Sequence, residues 1–379
     1  MLSMKMKSRK QITFSRVWGW GYNHYGQLGH SDQNVVLTPT LVRNLQGLSV
    51  KQMFCGSYVS FALTNDGQVY MSGHLDSSVI MNTAFTRIES LCGIGIVDIA
   101  VGCCGHVLTL NEHKQVHVMG SNDYSQLGLM GTYDDQQFAV KMDTSNYGQI
   151  VQVAVGGRDK LGCSYLLNDD GQVYSWGCGE HFTLGHGDND DREEPDLITR
   201  LKNVKSLIVG SYHCVAMTSD GKLYGWGRTP EGQLFGISRW GAQYVDIPID
   251  LSTLFQGKTF VGWQLSEEAV DLSKNLRKLV ISDRVTMALT LTGKVKSWGV
   301  ERNYGGVSPV QNVVLEDIDD ISCGDKIYLA LNSKGAVYQW GAKSGSPGFE
   351  LDSERPNTLK SLSNIKRVVC YGMHCFALE

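Results

Sequence analysis

Apolar and polar residues alternate with a period of two in short runs along the whole chain, and the runs end in the same way. VYSWG at 173–177, LYGWG at 223–227, VKSWG at 295–299 and VYQWG at 337–341 each close on Trp-Gly; VWG stands at 17–19, and VYMSG at 69–73 and VHVMG at 116–120 are degraded forms. Alternation over five residues with β-branched and aromatic side chains predicts strands. The closing glycines are 54, 47, 57, 50, 72 and 42 residues apart, so the chain is built from seven units. A recurring unit of this size is the signature of a radial or stacked repeat.

A second phrase precedes six of the anchors: CGSYVSFALTNDG from 55, VGCCGHVLTL from 101, VGGRDKLGCSYLLNDDG from 155, VGSYHCVAMTSDG from 209, ISDRVTMALTLTG from 281 and CGDKIYLALNSKG from 323. Each reads as strand, turn, strand. The Asp66-Gly67, Asp170-Gly171 and Asp220-Gly221 pairs supply the positive φ that tight hairpins need. A third phrase follows several anchors: NHYGQLGHSD from 23, NDYSQLGLMG from 122, EHFTLGHGDNDDREEPDLI from 180 and EGQLFG from 231. Its leucine is placed to pack, and its glycines permit a sharp bend. The chain ends on CYGMHCFALE, a hairpin strand without its Trp-Gly partner, and opens with the missing half, ITFSRVWGWG from 12. Pairing the two predicts a closed seven-bladed, all-β propeller with no open sheet edge.

Composition agrees, with 43 glycines, 8 tryptophans and 16 tyrosines against 7 prolines in 379 residues. A net charge of −4 gives no general attraction to phosphate backbones. Ten cysteines occur without a signal peptide or a long apolar run, which predicts a reduced, intracellular chain, cytoplasmic or nuclear. Residues 1–16 hold Lys5, Lys7, Arg9, Lys10 and Arg16 and no acid. They form a basic arm, read as a frayed terminus, a mitochondrial presequence or a nucleic-acid contact. The propeller is expected over 17–379.

The ordered phrases V-Y-x-W-G, N-x-x-G-Q-L-G and V-x-x-G-x-x-H-x-x-A-L resemble the regulator-of-chromosome-condensation repeat, with departures at Ser72 and Met119 and with its histidine kept at His106, His213 and His374. The resemblance implies a scaffold for protein recognition. Its founding member is a guanine-nucleotide exchange factor for the small GTPase Ran, so the implied function is exchange on, or regulation of, a Ran-like GTPase. The alternative is a non-catalytic adaptor in a larger complex. Asp159 falls on an acidic position of the exchange-factor members and Asp325 does so less closely; the second-repeat counterpart is Cys103-Cys104, not an acid. The family's wedge would sit at 121–149, with Tyr133, Asp134 and Asp135.

Turns at equivalent places in a propeller share one face. Tyr58, Arg158, Asp159, Tyr212, His213, Asp283, Arg284, Asp325, Lys326 and His374 are therefore the expected partner contacts, since this mixture of charge and aromatics suits a protein interface. An insertion at about 236–268 adds Trp240 and Trp263 as candidates. No phosphate-binding G-x-x-x-x-G-K-[ST], no H-E-x-x-H and no paired C-x-x-C occurs, so neither covalent catalysis nor a metal or cofactor is expected, and a monomeric propeller is. His213-Cys214 and His374-Cys375 read as core positions. The G-W-R-H-T phrase of the family's ultraviolet receptor is absent.

Overall fold

The structure, a computed structural model, describes residues 13–30, 34–75, 82–158, 160–234, 243–251, 272–299, 315–341 and 356–379. The described strands form seven antiparallel sheets, six of four strands and one of three. Blade 1 is the closing blade, built of Val17–Tyr22, Val35–Leu41, Arg367–Tyr371 and His374–Leu378. Blades 2 to 5 follow as Val50–Arg87, Ile96–Lys141, Ile150–Leu197 and Val204–Asp250. Leu276–Gly299 forms the three-stranded blade 6, and Ile318–Thr358 spans blade 7.

Closure happens as the sequence implies. Val17 to Gly21 pairs with Leu378 to His374, and the Arg16 carbonyl accepts from the Glu379 amide at 3.0 Å. Two boundaries move. The first anchor is Trp20-Gly21, not the preceding Trp-Gly: Gly21 pairs with His374 as Gly227 pairs with His213, and both glycines have φ near 100°. Trp18-Gly19 is a tandem copy that pattern alone does not separate. The basic arm is also shorter than expected. Phe14 is buried and bridged to Val50, so residues from 13 onward belong to the ring.

The strand that precedes the first hairpin of each repeat lies nearest the axis, and neighbouring inner strands touch all around the ring. Apolar clusters lie between adjacent blades and extend from one to the next. The leucine of the third phrase fills these seams: Leu28, Leu127, Leu184 and Leu234 are all buried. Its following glycine makes room for the next blade's tryptophan. A Cβ at Gly128 or Gly185 would lie 2.9 or 3.0 Å from the indole nitrogen of Trp176 or Trp226. Blade 2 has no such indole, and the Ser72 hydroxyl instead donates to the Gly26 carbonyl at 2.6 Å. Burying an indole per seam is worth several kcal/mol, by the roughly 3–5 kcal/mol that truncating a core tryptophan costs.

Around the axis runs a channel of about 410 Å³ lined by the inner strands, with Lys51, Asp98, Gln152, Lys278, Asp320 and Arg367 among its walls. Most of these polar groups clasp the adjacent blade. Lys278 Nζ donates to Asp320 Oδ1 at 2.6 Å, and Gln152 bonds both backbone groups of Leu207.

The expected insertion is partly strand. Tyr244–Asp250 pairs with Leu223–Arg228 as the outer strand of blade 5. Trp240 and Trp263 lie outside the described residues.

Candidate functional site

Each inner strand ends at a tight turn on one face, where the turns come close enough to cap the channel. Glycine makes that approach possible: a Cβ at Gly56 would sit 2.5 Å from the Gly102 carbonyl oxygen, and one at Gly324 2.5 Å from that of Gly372. Side chains from non-adjacent blades therefore meet over the axis.

The centre of this face is a network of ions. Arg158 of blade 4 pairs with Asp283 of blade 6 across the intervening turn. Arg284 Nε also reaches Asp283 at 3.3 Å, and its guanidinium lies 3.8 Å from Glu231, which Arg228 bonds at 3.0 Å. Burial opposes the charge on Arg158, but Asp283 and Asp325 hold its guanidinium protonated above the usual range. Asp325 of blade 7 is half-buried beside this group. Burial and the nearby Asp283 push its carboxyl up to about 6, against the pull of Arg158. Asp283 Oδ1 is buried and has no hydrogen-bond partner among the described residues. A buried carboxylate oxygen left unsatisfied costs about 1–3 kcal/mol. Lys326 stands exposed at the rim.

Aromatic residues flank the centre on two sides. Tyr58 is 42% exposed and packs on Tyr25 at 4.6 Å between ring centroids, with His74 stacked beyond at 6.0 Å. On the other side Tyr212 meets His181 edge-on at 5.0 Å and carries the Arg228 guanidinium 5.5 Å from its centroid. His181 also stacks on Tyr244, whose strand comes from the expected insertion. Phe182 occupies the place of Gly26 and Gly232 with φ of 58°, a left-handed conformation unfavourable to a bulky side chain. Its ring packs on Tyr244 at 5.4 Å.

The structure thus brings together Tyr58, Arg158, Tyr212, Asp283, Arg284, Asp325 and Lys326 on one face. Asp159 lies outside the described residues. Two expected contacts are corrected: His213 and His374 are fully buried, with ring Nε2 atoms 2.8 Å from Thr286 Oγ1 and Ser60 Oγ of the next blade. They follow the turn, so their side chains enter the seam and do not face solvent. Sequence reasoning missed Glu231 and His181, which belong to the third phrase, and Arg228, the last residue of the anchor strand before it; all three reach the face because that loop ends on it. Their signal was the departure from N-x-x-G-Q-L-G at 179–185 and 229–234. In the stretch expected to hold the wedge, Tyr133 is exposed and donates to Glu193, while Asp135 accepts from the Asn122 amide.

Among the described residues no group of three or more His, Cys, Asp or Glu is placed to hold a metal, and no helix is long and apolar enough to cross a membrane.

Comparison with known proteins adds the family. The model of the regulator of chromosome condensation (RCC1) repeat matches residues 15–63 and 170–217, and a second model of the same repeat matches 204–233. The human E3 ubiquitin-protein ligase HERC2 is 33% identical over 389 residues, covering 95% of this chain and 8% of HERC2. The ultraviolet-B receptor UVR8 of Arabidopsis thaliana is 29% identical over 226 residues, 58% of this chain and 50% of UVR8. The chain therefore spans half or less of these relatives. Prp20p of Saccharomyces cerevisiae, described with its binding properties to Gsp1p and histones, superposes with a TM-score of 0.77 over 97% of this chain and 92% of its own, at 21% identity. With seven blades closed by its terminal strands and the repeat recognised in separate parts of the ring, this chain belongs to the RCC1 repeat family.

Proposed function

We propose that this propeller recognises a protein partner through the capped face of its channel, and that the partner is a small Ran-like GTPase whose nucleotide state it regulates. The observation that carries the reading is the Arg158–Asp283–Asp325 group, where charged side chains of three blades converge at the centre of one face. Carboxylates and arginines at the centre of a face, flanked by tyrosines, match the composition of protein hot spots. Prp20p, alike in fold, is described as binding Gsp1p. Exchange requires no covalent step: acids on the docking face compete for the GTPase's phosphate and magnesium contacts, and Asp159 and Asp325 are the residues assigned that work.

A second reading, a non-catalytic adaptor, draws on the same geometry. Asp283 and Glu231 are already bonded to arginines of this chain, which leaves less uncompensated negative charge to displace a nucleotide.

Release of a fluorescent GDP analogue from a panel of small GTPases, Ran included, separates the two. Exchange activity predicts acceleration of one GTPase by about a hundredfold, roughly 3 kcal/mol, with Asp159→Ala removing the acceleration while weak binding persists. Binding that is indifferent to nucleotide, with no acceleration across the panel, selects the adaptor.

A further inference from the structure

Blade 3 differs from the others at the capped face, because its turn presents two adjacent thiols, Cys103 and Cys104, between Gly102 and Gly105. The two Sγ atoms lie 3.8 Å apart. Cys104 is buried and Cys103 half-buried. Cys103 Sγ donates to the Gly157 carbonyl of blade 4 and lies 3.9 Å from Ser211 Oγ of blade 5, so the thiol joins three turns of the face. The Gly157 carbonyl favours the protonated thiol, but the other neighbours of Cys103 favour the thiolate. The Cys104 thiol, the Ser211 hydroxyl and Arg158 together hold its pKa below the usual thiol range, despite burial and the nearby Asp325. Buried thiols elsewhere behave oppositely: burial pushes Cys163 up to about 11 and raises Cys214 well above the usual thiol range. An activated, partly accessible cysteine beside a second one is the arrangement of a peroxide-responsive site.

We propose that Cys103 and Cys104 form a reversible oxidation site, in which hydrogen peroxide converts the two thiols to a disulfide between adjacent residues. The Cys103 thiolate attacks peroxide; an S–O bond forms as O–O breaks, and the released hydroxide takes a proton to leave as water. The Cys104 thiol then attacks the sulfenic sulfur, S–S forms as S–O breaks, and a second water departs. Two thiols are oxidised and one peroxide is reduced to two waters. Adjacent Cα atoms are about 3.8 Å apart, below the usual disulfide span of roughly 4.4–6.8 Å, so the product is strained and readily reduced. Closing it withdraws Cys103 from Gly157 and Ser211 and loosens the turns of blades 3, 4 and 5. The consequence for partner docking rests on the function proposed above; the thiol chemistry does not.

The test is a peroxide titration of the full chain followed by alkylation and cleavage before Asp98 and Asp123, which separates the pair from the exposed Cys92. The expected result is loss of two hydrogens within 98–122, reversed by dithiothreitol, at a peroxide dose about tenfold below that which modifies Cys92. Phenylarsine oxide, which bridges paired thiols, is expected to bind one equivalent at the pair in the native chain and none there in Cys103→Ser or Cys104→Ser. Cys104→Ser is expected to stop at a sulfenic acid on Cys103 that dimedone traps. Oxidation of Cys92 first, over-oxidation of Cys103 with Cys104 still a free thiol, or arsenical binding that survives both substitutions would each overturn the proposal, whatever the GTPase panel shows.

Discussion

Two sets of titratable groups lie on either side of the same turns and behave in opposite ways. His106, His213 and His374 begin the second strand of blades 3, 5 and 1 and are buried in the seams, each bonded to a hydroxyl of the next blade. Arg158, Asp283, Arg284 and Asp325 stand at the ends of inner strands or in the turns beyond, and meet over the axis. The histidines recur because a seam recurs. The Asp-base pair recurs in the described turns only at Asp283-Arg284 and Asp325-Lys326 of neighbouring blades, and Arg158 meets these acids only because turns of different blades are gathered at one place. A residue that repeats around the ring carries the ring, while one that varies is free to carry a partner.

The seam histidines are neutral in the folded protein. The Ser164 hydroxyl donates to the Gln126 carbonyl, so His106 Nε2 must be the donor to Ser164. Burial brings His106 down to about 4 and His213 and His374 to about 3. A histidine depressed in the folded state keeps its full contribution above the unfolded value of roughly 6.5 and loses it as pH falls, because the unfolded chain takes the proton. Each costs on the order of 2 kcal/mol at about pH 5. Asp98 and Asp325, both raised to about 6 chiefly by burial, work the other way, since the folded state binds their protons first. They return roughly half of that loss.

The largest expected effect is therefore a fall in unfolding free energy on the order of 3 kcal/mol between about pH 7.5 and 5, read by denaturant titration. His106→Gln, which keeps a donor for Ser164, should make that fall smaller by about 2 kcal/mol; an unchanged slope would mean that the seam histidines do not set it. At neutral pH, His374→Ala should cost about 2–3 kcal/mol, because it opens a cavity beside Phe376 and strips Ser60 of its partner. Arg158→Ala should cost less, about 1–2 kcal/mol, since its side chain is 34% exposed. It should also move Asp325 further above 6, visible by carboxyl NMR titration, because Arg158 now restrains that rise. The smallest effects on stability belong to Tyr58→Ala and Lys326→Ala, within about 0.5 kcal/mol. If the capped face docks a partner, the same two substitutions should weaken binding about tenfold, or 1.4 kcal/mol, by calorimetry. Variants that destabilise as much as His374→Ala would erase the distinction between seam and face.

Much of this division was legible before any coordinates. Alternation, Asp-Gly turns and the two half-repeats at the ends determine seven antiparallel blades and their closure, because hairpin pairing is local and the missing strands complete each other. The sequence also picked out Arg158, Asp283 and Asp325 by their place after the inner strand. It did not distinguish His213 from Tyr212, or His374 from Met373, since a one-residue step reverses the side of the sheet and a turn hides where that count restarts. It placed the first anchor two residues early at a tandem Trp-Gly, and it treated Tyr244–Asp250 as insertion when pairing with Leu223–Arg228 makes it a strand. The repeat pattern alone determined the ring. Only the tertiary structure decided that Arg158 finds Asp283 125 residues away, or that Cys103 stands beside Gly157 and Ser211, because those contacts cross the axis and their distances depend on how closely glycine turns let the blades approach.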